Sequence, residues 1–97
     1  MKVIYVDIDE TICTTPSSRK YEDAQPIYDN INKINILYDK GHTIVYWTAR
    51  GSRKQKNWYE LTFNQLKSWG AKFNELRVDK PFYDLFIDDK TLRIEEI

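Results

Sequence analysis

Three apolar runs in this 97-residue chain each end abruptly in polar or acidic residues, and that repeated break constrains the fold more than any other feature. Val3-Ile4-Tyr5-Val6 runs into Asp7-Ile8-Asp9-Glu10-Thr11, Thr43-Ile44-Val45-Tyr46-Trp47 into Thr48-Ala49-Arg50-Gly51, and Leu85-Phe86-Ile87 into Asp88-Asp89. Continuous β-branched and aromatic runs of this length suit strands buried on both faces of a parallel sheet. Such strands need crossovers, and the intervening sequence supplies them.

From Ala24 to Lys40, Ile27, Ile31, Ile34, Leu37 and Tyr38 recur at the three-and-four spacing of one helix face, with Asp23 as N-cap and Gly41 as the stop. Trp58, Leu61, Thr62, Leu66 and Trp69 mark the inner face of a second helix over Lys54 to Trp69, closed by Gly70. Glu75 to Val78 is a short third strand, Leu85 to Ile87 a fourth and Leu92 to Ile94 a last one. The order β-α-β-α-β-β-β predicts a single α/β domain over residues 1–97 with a mainly parallel sheet and right-handed crossovers. A chain this short has no length for a second domain.

Ligands in open α/β sheets bind at the carboxyl ends of the strands, so the three polar clusters are expected to converge on one crevice. Four carboxylates gathered there would repel one another, and a bound cation is the simplest way to neutralise them. Every candidate ligand is a hard oxygen donor, which selects Mg²⁺ over Zn²⁺. Mg²⁺ held by a few carboxylates commonly takes phosphate oxygens as further ligands, and the crevice reads as a phosphate-processing site.

At this point the residues resemble a known family. Asp7-Ile8-Asp9-Glu10-Thr11 resembles the D-x-D-x-T signature of the haloacid dehalogenase superfamily phosphatases. Thr48, closing an apolar strand, is similar to their second signature, Lys80 stands in the place of their basic third, and Phe86-Ile87-Asp88-Asp89 is similar to their acidic fourth. All four occur in order across residues 3 to 89.

The resemblance implies a Rossmann-like three-layer sandwich without a cap domain, because neither usual insertion point holds more than a loop and a helix. It also implies a Mg²⁺-dependent phosphomonoesterase acting through an aspartyl-phosphate. Asp7 would be the nucleophile and a metal ligand, and Asp9 the general acid and base, with its backbone carbonyl ligating the metal. Thr48, the Ala49 amide, Arg50 and Lys80 would hold the transferring phosphoryl group, and Asp88 and Asp89 would complete the magnesium site. Glu10 departs from the pattern, standing where many members have glycine.

The short DIDET and YWTARG forms look most like small phosphatases associated with capsule or surface polysaccharides, which implies a sugar phosphate or similar small metabolite as substrate. Without a cap, specificity falls to loops or to surfaces donated by a neighbouring subunit of a homo-oligomer.

Charge and composition limit the alternatives. Fifteen basic against fifteen acidic residues give a formal net charge of zero, so no global field draws the chain to nucleic acid or membrane. A nucleic-acid 3′-phosphate or a phosphoprotein would need a local patch, for which Arg50 to Lys56, with four cations in seven residues, is the candidate. A noncatalytic module retaining the fold is the reading from another class, and nothing structural would require the whole polar set. Arg50 itself is open to two roles, binding a substrate anion or pairing with a loop acid. The single Cys13 excludes an internal disulfide and reads as a packing residue, and His42 reads as a surface turn residue. Tyr21 and Tyr28 are open candidates to reach the crevice, with no specific signal in the sequence for either. No apolar run approaches the roughly 20 residues that span a bilayer, and the cytoplasm is the expected location.

Overall fold

The computed structural model describes residues 1–51 and 58–97. Strand β1 (Val3–Val6) is followed by a two-residue strand β2 (Cys13–Thr14), which pairs antiparallel with β3 (Gln25–Pro26). Helix α1 (Tyr28–Asp39), strand β4 (Thr43–Trp47), helix α2 (Trp58–Ser68) and strand β5 (Glu75–Arg77) complete the regular elements, with a final 3-10 turn at Ile94–Glu96. The main sheet has the order β1-β4-β5 and every pairing in it is parallel. The α/β class and the parallel sheet are as expected.

Both crossovers step in the same direction across the sheet, and with right-handed connections both helices lie on one face. The register agrees. Ile4 pairs with Ile44, Val6 with Tyr46 and Tyr46 with Leu76, so these side chains share a face. Val6, Ile44, Tyr46 and Leu76 are buried there with Ile31 and Ile34 of α1 and Leu66 of α2. On the other face β1 presents Val3 and Tyr5 to solvent, where Tyr5 meets Trp47 edge to face with ring centroids 5.4 Å apart. The runs read as buried on both faces are therefore, in β1, covered on one. Among the described residues a single copy contributes one helix layer.

Both helices stop where the glycines predict. Gly41 and Gly70 have φ of +97° and +76°, conformations that L side chains adopt at a cost. The amides of His42 and Ala71 reach back to the carbonyls of Leu37 and Leu66, the six-residue closure that satisfies the last turn. The start of α1 differs from expectation. It begins at Tyr28 rather than near Ala24, because Gln25–Pro26 is held in the ladder with β2 and the Ile27 amide donates to the Ile12 carbonyl. A residue before proline also favours extended backbone. Asp23 caps no helix, and its carboxylate accepts from the Ser18 hydroxyl instead. The expected start of the second helix, Lys54 to Asn57, lies outside the described residues.

The expected fourth and fifth strands are not formed. Residues 85–87 pair with no strand among the described residues, and Leu85 and Ile87 are 75% and 86% exposed. In place of a strand at Leu92 to Ile94, Ile94 opens the final 3-10 turn and is buried beside α1, its carbonyl accepting from Lys33 Nζ. The cause is upstream. The Lys80 amide donates to the Thr48 carbonyl, which pins the chain at the carboxyl end of the sheet and leaves too few residues to return for another parallel strand.

One buried group is unpaired. The Tyr46 ring is fully buried and packs edge to face on Phe73, but its hydroxyl has no hydrogen-bond partner among the described residues. An unsatisfied buried hydroxyl costs roughly 1–3 kcal/mol, so Tyr46→Phe is expected to stabilise the fold by about 1 kcal/mol. Urea unfolding measures this, and a lower midpoint for the variant would show that the hydroxyl has a partner.

Candidate active site

The first three signatures meet in one cleft of about 380 Å³ at the carboxyl end of the sheet, lined by Asp7, Asp9, Thr48, Ala49, Arg50 and Lys80. Asp7 leaves the end of β1, and Thr48 leaves the end of β4. Lys80 follows β5 and is held at the cleft by the hydrogen bond its amide donates to the Thr48 carbonyl. Each arrives because its strand is parallel to the others and ends on the same side.

Asp7 faces the lysine. Lys80 Nζ lies 3.6 Å from Asp7 Oδ1, and the Thr11 hydroxyl donates to Asp7 Oδ2 at 3.5 Å. Burial raises the Asp7 carboxyl above its ordinary value of 3.8, and the nearby Lys80 charge opposes the rise without cancelling it. Lys80 is itself mostly buried, set between the rings of Trp47 and Tyr83 with centroids 5.6 and 5.4 Å from Nζ. At these distances the ring faces attract the ammonium and help to fix its position.

Asp9 is held differently. Arg50 grips it in a two-pronged pair, Nε to Oδ2 at 3.0 Å and Nη2 to Oδ1 at 2.7 Å. Arg50 is 1% exposed, and its guanidinium donates also to Thr62 and Gln65 of α2 and lies over the Tyr21 ring at 4.6 Å. Gln65 in turn donates to the Tyr21 carbonyl, tying the loop to the helix. Of the two roles open to Arg50, the structure places it against the loop acid. Both Asp9 oxygens are engaged, so one must be released before Asp9 can exchange a proton with a ligand.

The turn between them has a specific construction. Glu10 takes a left-handed φ of +66°, which costs a residue with a side chain roughly 1–2 kcal/mol. Its carboxylate offsets this by accepting from the Thr15 amide at 2.6 Å. Cys13 is fully buried beneath, its thiol close to Asp9 Oδ1 and the Ile8 carbonyl. Burial, with the Asp9 charge adding to it, pushes that thiol up to about 12, which leaves it inert at neutral pH.

Thr48 is buried, and its hydroxyl accepts from the Arg50 amide at 3.1 Å. That bond orients the turn so that Thr48 and Ala49 line the cleft beside Asp7. Thr15, Tyr21, Pro81, Phe82 and Tyr83 form the remaining wall. Tyr21 was an open candidate from sequence and does reach the cleft, whereas Tyr28 is exposed away from it. Thr15, Phe82 and Tyr83 carried no signal, since they come from loops without a period.

Asp88 and Asp89 do not join the others. They lie on the exposed segment beyond Ile87, where the Asp89 amide donates to Asp88 and Lys90 pairs with Asp89. Among the described residues no group of three or more His, Cys, Asp or Glu is placed to hold a metal. With Asp88 and Asp89 away from the cleft, one copy of the chain brings together only part of the Mg²⁺ site that the resemblance implies, and by itself does not fit it.

No family model and no curated protein matches the chain. It is similar to the crystal structure of an MCSG target protein from Vibrio cholerae, with 27% identity, a TM-score of 0.83, and coverage of 99% of this chain and 86% of that one. The likeness extends over the whole α/β fold. No helix among the described residues is long and apolar enough to cross a membrane.

Proposed function

We propose that this chain is a phosphomonoester hydrolase of the haloacid dehalogenase type, with Asp7 as nucleophile, acting on a small phosphorylated metabolite. The observation that carries this is the meeting of Asp7 with Lys80 at 3.6 Å in a cleft also lined by Thr48. A phosphoryl group entering there would have a carboxylate on one side and a held cation on its oxygens, and phosphoryl transfer depends chiefly on such positioning and charge stabilisation.

The steps assigned to the chain's own residues are these. Asp7 attacks phosphorus and forms an acyl phosphate as the ester oxygen departs, and water then cleaves the acyl phosphate to regenerate the carboxylate and release inorganic phosphate. Lys80 neutralises charge on the phosphoryl oxygens, and Thr48 with the Ala49 backbone contacts the same group. Asp9, once an oxygen is freed from Arg50 and has taken up a proton, gives that proton to the departing oxygen and later recovers one from the attacking water.

The burial of Arg50 favours a small metabolite over nucleic acid. The first cation of the Arg50 to Lys56 run is committed to Asp9 and unavailable to a polyanion. The remainder of that run lies outside the described residues.

Turnover of p-nitrophenyl phosphate with and without Mg²⁺, followed by a panel of sugar phosphates and 3′-phosphorylated oligonucleotides at varied salt, tests the reading. Metal-dependent hydrolysis with preference for a sugar phosphate is expected. Salt-sensitive preference for the oligonucleotide would overturn the substrate class, and absence of turnover on every ester would overturn the enzyme.

A further inference from the structure

The segment between Asp84 and Arg93 carries Leu85, Ile87 and Leu92 into solvent, 75%, 86% and 69% exposed. It is anchored at both ends, upstream where Lys80 joins Thr48 and downstream where Ile94 packs beside α1. It therefore stands out as an arm rather than a frayed tail. On the same chain, β1 is an edge strand with Val3 and Tyr5 exposed. An apolar arm and an edge that is unpaired among the described residues invite pairing.

The arm cannot pair usefully with its own edge. Residues 81–83 line the cleft, so the chain is still at the carboxyl end of the sheet when it reaches Asp84. From there it can run beside its own β1 only antiparallel, which would carry Asp88 and Asp89 to the amino end, away from Asp7. A parallel strand would need a return crossover of about a dozen residues, and residue 84 alone remains.

Two copies related by a two-fold axis, with their β1 edges facing, remove the conflict. The two β1 strands then run in opposite directions, so an arm antiparallel to its own β1 is parallel to the other copy's. Its acidic end emerges at the carboxyl end of that second sheet, beside the second copy's Asp7. We infer that two copies of this chain exchange the arms at residues 85–89 across a two-fold axis, and that Asp88 and Asp89 of each complete the active site of the other.

The exchange accounts for three features together: the exposed aliphatic side chains, the uncovered edge, and a cleft in which one copy supplies too few free carboxylates for a hard cation. It also explains how an apolar strand signature ending in two acids can sit so soon after Lys80. The pair is isologous, each arm meeting the same edge on its partner. Its catalytic consequence rests on the proposed function, whereas the exchange itself does not.

Light scattering on the wild-type chain is expected to give twice the 11.7 kDa chain mass, and Leu85→Lys with Ile87→Lys to give the single chain. Asp7→Asn and the Asp88→Asn/Asp89→Asn double variant, each inactive alone, are then unfolded together and refolded. Exchange places one intact site in each mixed pair, and random pairing recovers about a quarter of wild-type turnover. Arms held in their own chain would recover none, which overturns the inference. If the wild type hydrolyses no ester, the proposed function fails and the exchange is judged separately. For that arm of the test, Tyr5→Cys and Ile87→Cys chains are refolded together and treated with a short bismaleimide, which the fully buried Cys13 does not reach. A covalent mixed dimer supports the exchange, and its absence, or a monomeric wild type, overturns it.

Discussion

Asp9→Ala is expected to cost about 3–5 kcal/mol of stability, more than Arg50→Met, although the two remove partners of the same ion pair. The asymmetry follows from burial. The Arg50 side chain is fully shielded and that of Asp9 is 25% exposed. Without Asp9, a guanidinium remains in the interior with only the neutral oxygens of Thr62 and Gln65 and the Tyr21 ring for company. Without Arg50, the Asp9 carboxylate can hydrate through the cleft, and methionine fills part of the vacated space. The loss is then about 2 kcal/mol, chiefly the hydrogen bonds to α2.

A domain of this length is stable by roughly 5–15 kcal/mol, so Asp9→Ala removes a large share. Urea midpoints at neutral pH decide the order, and an Arg50→Met loss equal to or larger than that of Asp9→Ala would refute it. The comparison also bears on function. A dead Asp9 variant alone does not separate a catalytic role from a structural one, whereas a folded Arg50→Met protein retaining the Asp9 carboxylate does.

The same pair shows where sequence reading ran short. Asp7, Thr48 and Lys80 were legible because each stands at or just beyond a strand end, and a parallel sheet brings such ends together. Arg50 has the same position, but nothing in its neighbours showed that its guanidinium would turn inward to Asp9. That depends on Thr62 and Gln65 of a helix whose polar residues look solvent-facing by composition. Asp88 and Asp89 share the strand-end pattern but fall outside the cleft of their own chain. The relevant signal was the short interval between Lys80 and Leu85, which periodicity ignores and crossover length does not. The covered face of the sheet followed from the apolar runs. The exposure of Val3 and Tyr5 did not, since a run of four apolar residues looks the same with one face covered or two.

Asp7→Asn is expected to abolish turnover, by about 10³-fold or more, because the amide cannot form the acyl phosphate and the water pathway that remains lacks a nucleophile of comparable reach. It is also expected to stabilise the metal-free protein at neutral pH. The folded chain holds the Asp7 proton more tightly than the unfolded chain does, since burial outweighs the attraction of Lys80 and raises its carboxyl above 3.8. The native state therefore binds more protons across the window that opens at 3.8 and extends upward, and wild-type stability falls as pH rises through it. Asparagine carries no such charge, so its advantage is full above the window and vanishes below it. Chemical unfolding in chelator at several pH values, from below 4 to 7, reads that difference. A variant less stable than wild type at pH 7 would mean that the Lys80 pair outweighs burial. For the proposed nucleophile, a setting that disfavours its own charge is the trade of stability for reactivity that the proposed function predicts. A solvated acid at a strand end, replaced by its amide, would show neither effect.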